Sequence, residues 1–154
     1  MFRKLYDNRK ELTHLAFLVY ILAVLFLTFI VRENMVLRTP ENRGVILQPL
    51  RELEAMIKQP DHFFWFMQIF LNILLFIPFG ALLPCISQRV RNPFITVVAG
   101  FIFSGAIETM QYITGRGLTE IDDVITNTVG AAVGYIVYAV ITGLCKKKIE
   151  SSPF

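Results

Sequence analysis

A chain of 154 residues with 55% apolar side chains, 14 phenylalanines and a mean hydropathy of +0.56 carries more apolar surface than one small water-soluble core can hide. Its net charge of +3 sits in the flanks of apolar runs, where topology and anionic lipid account for it, so nucleic-acid binding is set aside. The bilayer is the solvent that fits.

Crossing about 30 Å of hydrocarbon takes roughly 20 mostly apolar residues. Four segments have that length: Leu12 to Val31, Phe63 to Ile86, Pro93 to Ile113 and Asp123 to Cys145. The first follows a basic start, Arg3, Lys4, Arg9 and Lys10, but it is too long for the apolar region of a signal peptide. No small-residue cleavage pattern follows in "IVRENMVLR", so an uncleaved helix is expected.

In the first loop, "PLRELEAMIKQP" between Pro49 and Pro60 carries Leu50, Leu53 and either Met56 or Ile57 at helical spacing among charged residues. The pattern predicts a short amphipathic helix on the leaflet surface, with an ordinary polar loop as the alternative. Trp65, Phe63, Phe64 and Phe66 then mark the interface where the second span begins. Within it, Pro78 and Gly80 of "NILLFIPFG" interrupt the backbone ladder and predict a kink.

Nine of the fifteen Lys and Arg lie before the first span, between the second and third, and after the fourth. The positive-inside rule therefore puts both termini in the cytoplasm and loops one and three outside. Cys85 and Cys145 lack metal-ligand spacing and read as small packing residues. The organisation is one domain, 1–154, of all-α class: an integral membrane bundle of four helices with the amphipathic helix in the first extracytoplasmic loop.

The polar residues inside the spans fall on faces. Gly100, Ser104, Glu108, Gln111 and Gly115 step by 4, 4, 3 and 4 along the third span, and Asp123, Asn127, Gly130 and Gly134 by 4, 3 and 4 along the fourth. Gln68 and Asn72 are one turn apart in the second span. These stripes meet only if the three helices pack together, which predicts a polar pocket of Gln68, Asn72, Ser104, Glu108, Gln111, Arg116, Asp122, Asp123 and Asn127 open to the outer surface. A charge at mid-membrane costs about 2.5 to 3.5 kcal/mol, so Glu108 needs a partner, water or a proton. Arg116 in "TGRG", where glycines break the helix, is the expected partner.

Structural readings stand beside this functional one. Buried amides glue helices, Gly130-x-x-x-Gly134 allows close backbone approach, and Pro78 and Gly80 join them as helix-packing residues whose kink widens the inner or middle part of the bundle. Thr119 with Asp122 three residues later has capping-box spacing at the start of the fourth helix.

"NILLFIPFGALLP", "SGAIETMQ" and "GRGLTEIDDVITNTVGAAVGY", in that order, resemble the successive signatures of the VanZ-like family of small bacterial membrane proteins. The resemblance is strongest over residues 49–135. It carries over to Asn72, Pro78, Gly80, Glu108, Gln111, Arg116, Asp122, Asp123, Asn127 and Gly130. It departs at "ILQPL", where Ile46 and Leu50 replace the Asn and Phe of an Asn-x-x-Pro-Phe segment found in many members.

Founding members are associated with low-level resistance to teicoplanin, a lipid-tailed glycopeptide, so the resemblance implies antibiotic tolerance at the bacterial cell envelope. Three readings of the pocket stay open. One is a non-catalytic protein binding membrane lipid, a lipid-linked cell-wall precursor or a lipoglycopeptide tail at the outer leaflet, with no cofactor. Another is an intramembrane enzyme with Glu108 or Asp123 as acid-base groups, Asp122 and Asp123 holding a divalent metal and Arg116 binding phosphate. The third is a proton-coupled transporter assembled as an oligomer.

Overall fold

The computed structural model describes residues 2–31, 44–115 and 118–150. Helix α1 (Phe2–Phe26) continues as a π-helical turn over Leu27–Val31. A two-residue strand, β1 (Val45–Ile46), precedes a short helix α2 (Arg51–Lys58) and the long helix α3 (His62–Ile86). A 3-10 turn (Gln88–Val90) leads to α4 (Pro93–Thr114), and strand β2 (Thr119–Glu120) runs straight into α5 (Ile121–Glu150). Lys10–Ile30, His62–Ile86, Pro93–Thr114 and Ile121–Lys147 are long and apolar enough to cross a membrane. They are the four spans expected, the last starting two residues earlier because β2 delivers the chain directly into its first turn.

Helix ends follow local chemistry. Asn92 Oδ1 accepts from the Phe94 N–H at 2.8 Å and Pro93 occupies the first turn of α4, where its missing N–H costs nothing. Gly115 closes the helix at φ 63°, its N–H returning to the carbonyls of Gln111 and Tyr112. Pro78 and Pro84 both lie inside α3, which stays helical across them.

Helix α3 is the centre of the bundle, touching α1, α2, α4 and α5. Its seam with α5 is backbone to backbone. A Cβ added at Gly130 would fall on the carbonyl of Ile73, one at Gly134 on that of Ile77, and one at Gly80 on that of Ala131. The Gly-x-x-x-Gly face therefore packs inside the chain. Val24, Phe76, Phe79, Ile107 and Ala131 form the buried apolar cluster, with Phe79 and Phe103 stacked at 5.4 Å between ring centroids. Leucines of α1, Phe101 and Ile102 of α4, and Ile136, Val140 and Ile141 of α5 remain exposed on the outside of the bundle, the side that meets lipid. Cys85 and Cys145 are exposed too, so they do not serve as internal packing residues.

At one end of the bundle the first and third loops are tied together. Strands β1 and β2 pair in parallel, Val45 with Thr119 and Ile46 with Glu120, and the Thr119 N–H donates to the Gly44 carbonyl at 3.1 Å. The predicted amphipathic helix is α2, and it docks on α3. It turns Glu52 and Ala55 inward and leaves Leu50, Leu53 and Ile57 exposed. On its outer side Lys58 Nζ donates to Glu54 Oε1 at 2.6 Å, a hydrogen-bonded pairing that holds the Glu54 carboxyl below the usual carboxylate range.

Candidate functional site

The residues of the site come from five elements at the β1–β2 end. Asp122 and Asp123 open α5, Glu120 ends β2, Glu108 lies on α4, Asn72 on α3 and Glu52 on α2. Asp122 is buried and uses both oxygens on another helix: Oδ1 accepts from the Leu50 N–H at 2.5 Å and Oδ2 from the Glu52 N–H at 2.8 Å. The acid caps α2, seventy residues away in sequence, rather than the first turn of its own helix. Thr119, the other half of the expected capping box, donates its hydroxyl to the Glu108 carbonyl at 3.3 Å. The capping box is therefore replaced by two tertiary contacts.

Asp123 is fully buried, and its Oδ1 accepts from Asn72 Nδ2 at 2.6 Å. Carboxylate oxygens of Glu52, Glu120 and Asp123 lie within 4.8 Å of one another, close enough to share one cation. Asp122 is not in that group, because its oxygens are committed to the α2 backbone; the Asp122 and Asp123 metal pair expected from sequence becomes Glu52, Glu120 and Asp123. Arg51 meets Glu120 Oε1 at 2.9 Å.

Glu108 is buried, and its Oε2 accepts from the Glu120 N–H at 3.0 Å, tying α4 to β2. Its expected partner Arg116 lies outside the described residues. One turn earlier on α4, fully buried Ser104 Oγ accepts from Asn127 Nδ2 at 2.9 Å. One turn later, Gln111 Nε2 reaches the Thr28 carbonyl of the π-helical turn that follows α1 at 3.4 Å. Gln111 Oε1 and Asn127 Oδ1 are buried with no partner among the described residues.

A cavity of about 540 Å³ lies between α1 and α3, lined among others by Tyr20, Val24, Thr28, Gln68, Asn72 and Pro78. Tyr20 spans its wall, donating its hydroxyl to the Leu75 carbonyl at 2.7 Å. Gln68 faces this cavity, whereas Asn72 belongs to both places, lining the cavity and holding Asp123.

The structure thus divides the expected polar face into linked pairs: Asn72 with Asp123, Ser104 with Asn127, and Glu108 with β2. Sequence reasoning missed Glu52 and Glu120. For Glu120 a signal existed, since it precedes Asp123 by three residues. Glu52 had none, because only the α2 docking brings it in. Tyr20 and Thr28 were hidden among the apolar residues of the first span.

A sequence profile described as VanZ/LLP1 matches residues 16–142. Protein VanZ of Enterococcus faecium is 38% identical over 71 residues, 44% of this chain. The match covers 41% of that protein's length, so the chain spans well under two thirds of this curated relative. No solved structure matches.

Proposed function

This chain belongs to the VanZ/LLP1 family, and from that premise we propose that it is a non-catalytic multi-pass protein of the bacterial cell membrane that holds a lipid-tailed envelope compound. That compound is a membrane lipid, a lipid-linked cell-wall precursor or a lipoglycopeptide. In this reading both termini are cytoplasmic, the β1–β2 end faces out, and the ligand enters from the outer leaflet. The tail lies in the α1–α3 cavity and the head meets the carboxylates beyond Asn72. The biological result is lower drug access, hence tolerance of teicoplanin-type antibiotics.

The observation that carries this is the cavity itself. Its volume of about 540 Å³ falls inside the roughly 300 to 1,000 Å³ typical of small-molecule sites. It is mostly apolar, as a hydrocarbon tail requires, and through Asn72 it adjoins the polar cluster, as an amphiphile requires.

The test is teicoplanin and vancomycin susceptibility of cells expressing the wild type or Ala23→Trp at matched membrane levels. Ala23 lines the cavity, and an indole there fills the space meant for the tail. The wild type is expected to raise teicoplanin tolerance several-fold with vancomycin unchanged, and Ala23→Trp to return it to baseline. Equal tolerance in the two strains would remove the cavity from the function.

The grouping of Glu52, Glu120 and Asp123 favours a second reading, an intramembrane enzyme using a divalent ion on a lipid head group. Metal-dependent conversion of a lipid by the purified protein would put that reading first.

A further inference from the structure

The end of the bundle away from β1 and β2 is basic. There the span Lys10–Ile30 begins and the span His62–Ile86 finishes. Between them lies a recess of about 600 Å³, lined among others by Lys10 of α1, Ile86 of α3, and Ser87, Gln88, Arg89 and Arg91 of the connection to α4. Three of these side chains are cationic, and among the described residues no carboxylate lines the recess.

The turn that presents both arginines is fastened from several sides. Ser87 Oγ accepts from the Arg89 N–H at 3.3 Å, and the Val90 carbonyl accepts from the hydroxyl of fully buried Thr96 at 2.9 Å. The Arg91 carbonyl accepts from the Tyr135 hydroxyl of α5 at 2.7 Å. Arg91 Nε donates to the Pro84 carbonyl at 3.4 Å, one of those left over where α3 ends. These contacts use backbone groups, two hydroxyls and a single guanidinium nitrogen. The Nη groups of Arg91, the guanidinium of Arg89 and the ammonium of Lys10 take no part in them, and none of the three cations pairs with an acid among the described residues. Holding the turn therefore explains its shape and leaves its charge unexplained.

A concave surface of one sign concentrates counter-ions, and a turn already fixed loses little freedom when an anion docks. Arginine and lysine heads donate and never accept, while the Ser87 hydroxyl and the Gln88 amide supply further donors. The complement is an oxyanion with several acceptor oxygens, and the planar fork of arginine matches phosphate. Depth supplies the source. Residues at which spans begin and end lie at the level of the lipid head groups, where basic pockets between helices meet lipid phosphates.

We infer that this recess binds the phosphate head of an anionic phospholipid, Lys10 reaching it from α1 and Arg89 and Arg91 from the turn between α3 and α4. Among the described residues it shares no lining side chain with the α1–α3 cavity, and the acidic cluster lies at the other end of the bundle. In the orientation proposed above the lipid belongs to the inner leaflet, but the chemistry of the recess is the same in either orientation.

The experiment is native mass spectrometry of the full chain in neutral detergent, titrated with dioleoyl phosphatidic acid, phosphatidylglycerol or phosphatidylcholine. The first phosphatidic acid is expected to bind about ten-fold more tightly than phosphatidylcholine, with phosphatidylglycerol between them. Arg89→Gln should weaken phosphatidic acid about five-fold, the worth of one cation at a membrane surface. Lys147→Gln removes a charge from the exposed far end of α5, on the same side of the bundle and off the recess, and should change nothing. Ala23→Trp, which fills the α1–α3 cavity, should leave this binding unchanged as well. Should Arg89→Gln fail to fold, the three-lipid comparison on the wild type still decides. Equal binding of the three lipids would overturn the site. Equal weakening by Arg89→Gln and Lys147→Gln would overturn it in favour of diffuse attraction to a basic surface, and loss of binding in Ala23→Trp would move the lipid to the other cavity. Inorganic phosphate that competes with the lipid at equal concentration would overturn the phospholipid in favour of a soluble anion.

Discussion

Gly134→Leu is expected to break the seam between α3 and α5 and to lower stability by about 3 kcal/mol, the upper end for forcing extra atoms into a packed interface. The reason lies in what a side chain would meet there: the Ile77 carbonyl and the Ala81 amide, which are backbone and cannot turn aside. Gly80 and Gly130 approach the opposite helix in the same way, so no neighbouring space exists into which the leucine can relax. Gly105 supplies the control, because a Cβ there meets nothing within 4 Å. Gly105→Ala should be neutral or stabilising by up to about 1 kcal/mol, since alanine favours the helix over glycine. Resistance to unfolding in graded SDS, read by helical circular dichroism, compares the two. Similar midpoints for Gly134→Leu and wild type would mean that α3 and α5 do not pack through their backbones.

The second large effect is local. Asp122→Ala removes both acceptors that hold the start of α2, the ones receiving the Leu50 and Glu52 N–H groups. Two hydrogen bonds to a charged group amount to about 3 kcal/mol at the low end of their range, which is roughly 100-fold in an opening equilibrium. The Glu52 amide should exchange with deuterium about that much faster, measured by mass spectrometry of the peptide covering α2, while amides in the middle of α4 are unchanged. Asp122→Asn keeps one acceptor and should fall between. Leu50 adds to the tension, because it sits at φ 62°, a left-handed conformation that costs a branched residue about 1 to 3 kcal/mol. Leu50→Gly should accordingly offset part of the Asp122→Ala loss. If Asp122→Ala leaves α2 exchange as slow as wild type, the helix is held by something other than its cap.

The spans were legible because membrane length and apolar runs are properties of contiguous sequence. The α2 boundaries were legible for a similar reason, with a proline on each side and Arg51 to Lys58 in between. The polar stripes on the second, third and fourth spans also carry helical periodicity, so Ser104, Glu108, Asn72, Asp123 and Asn127 could be placed on faces from spacing alone. The partners of those residues could not. Asp122 reaches α2 across 70 residues and Asn72 reaches Asp123 across 51, and contacts at that separation leave no periodic trace. The capping-box spacing of Thr119 and Asp122 misled because the same short side chains reach tertiary partners equally well when β1 and α2 arrive beside them. Glu52 became a site residue only through that arrival.

Helix α2 buries an acid and exposes leucine and isoleucine, so in a bilayer two media grip it from opposite sides. The protein holds its polar edge through Asp122, and in the proposed placement the acyl chains of one leaflet would hold the exposed Leu50, Leu53 and Ile57. A helix gripped in this way registers lateral pressure: thinning or expanding that monolayer changes the apolar grip without touching the carboxylate cap. Because Glu52 rides on the same helix, the spacing of the acidic cluster would then be mechanically linked to the packing of the surrounding lipid. The chain would then respond to the physical state of its membrane as well as to the chemistry of any single molecule within it.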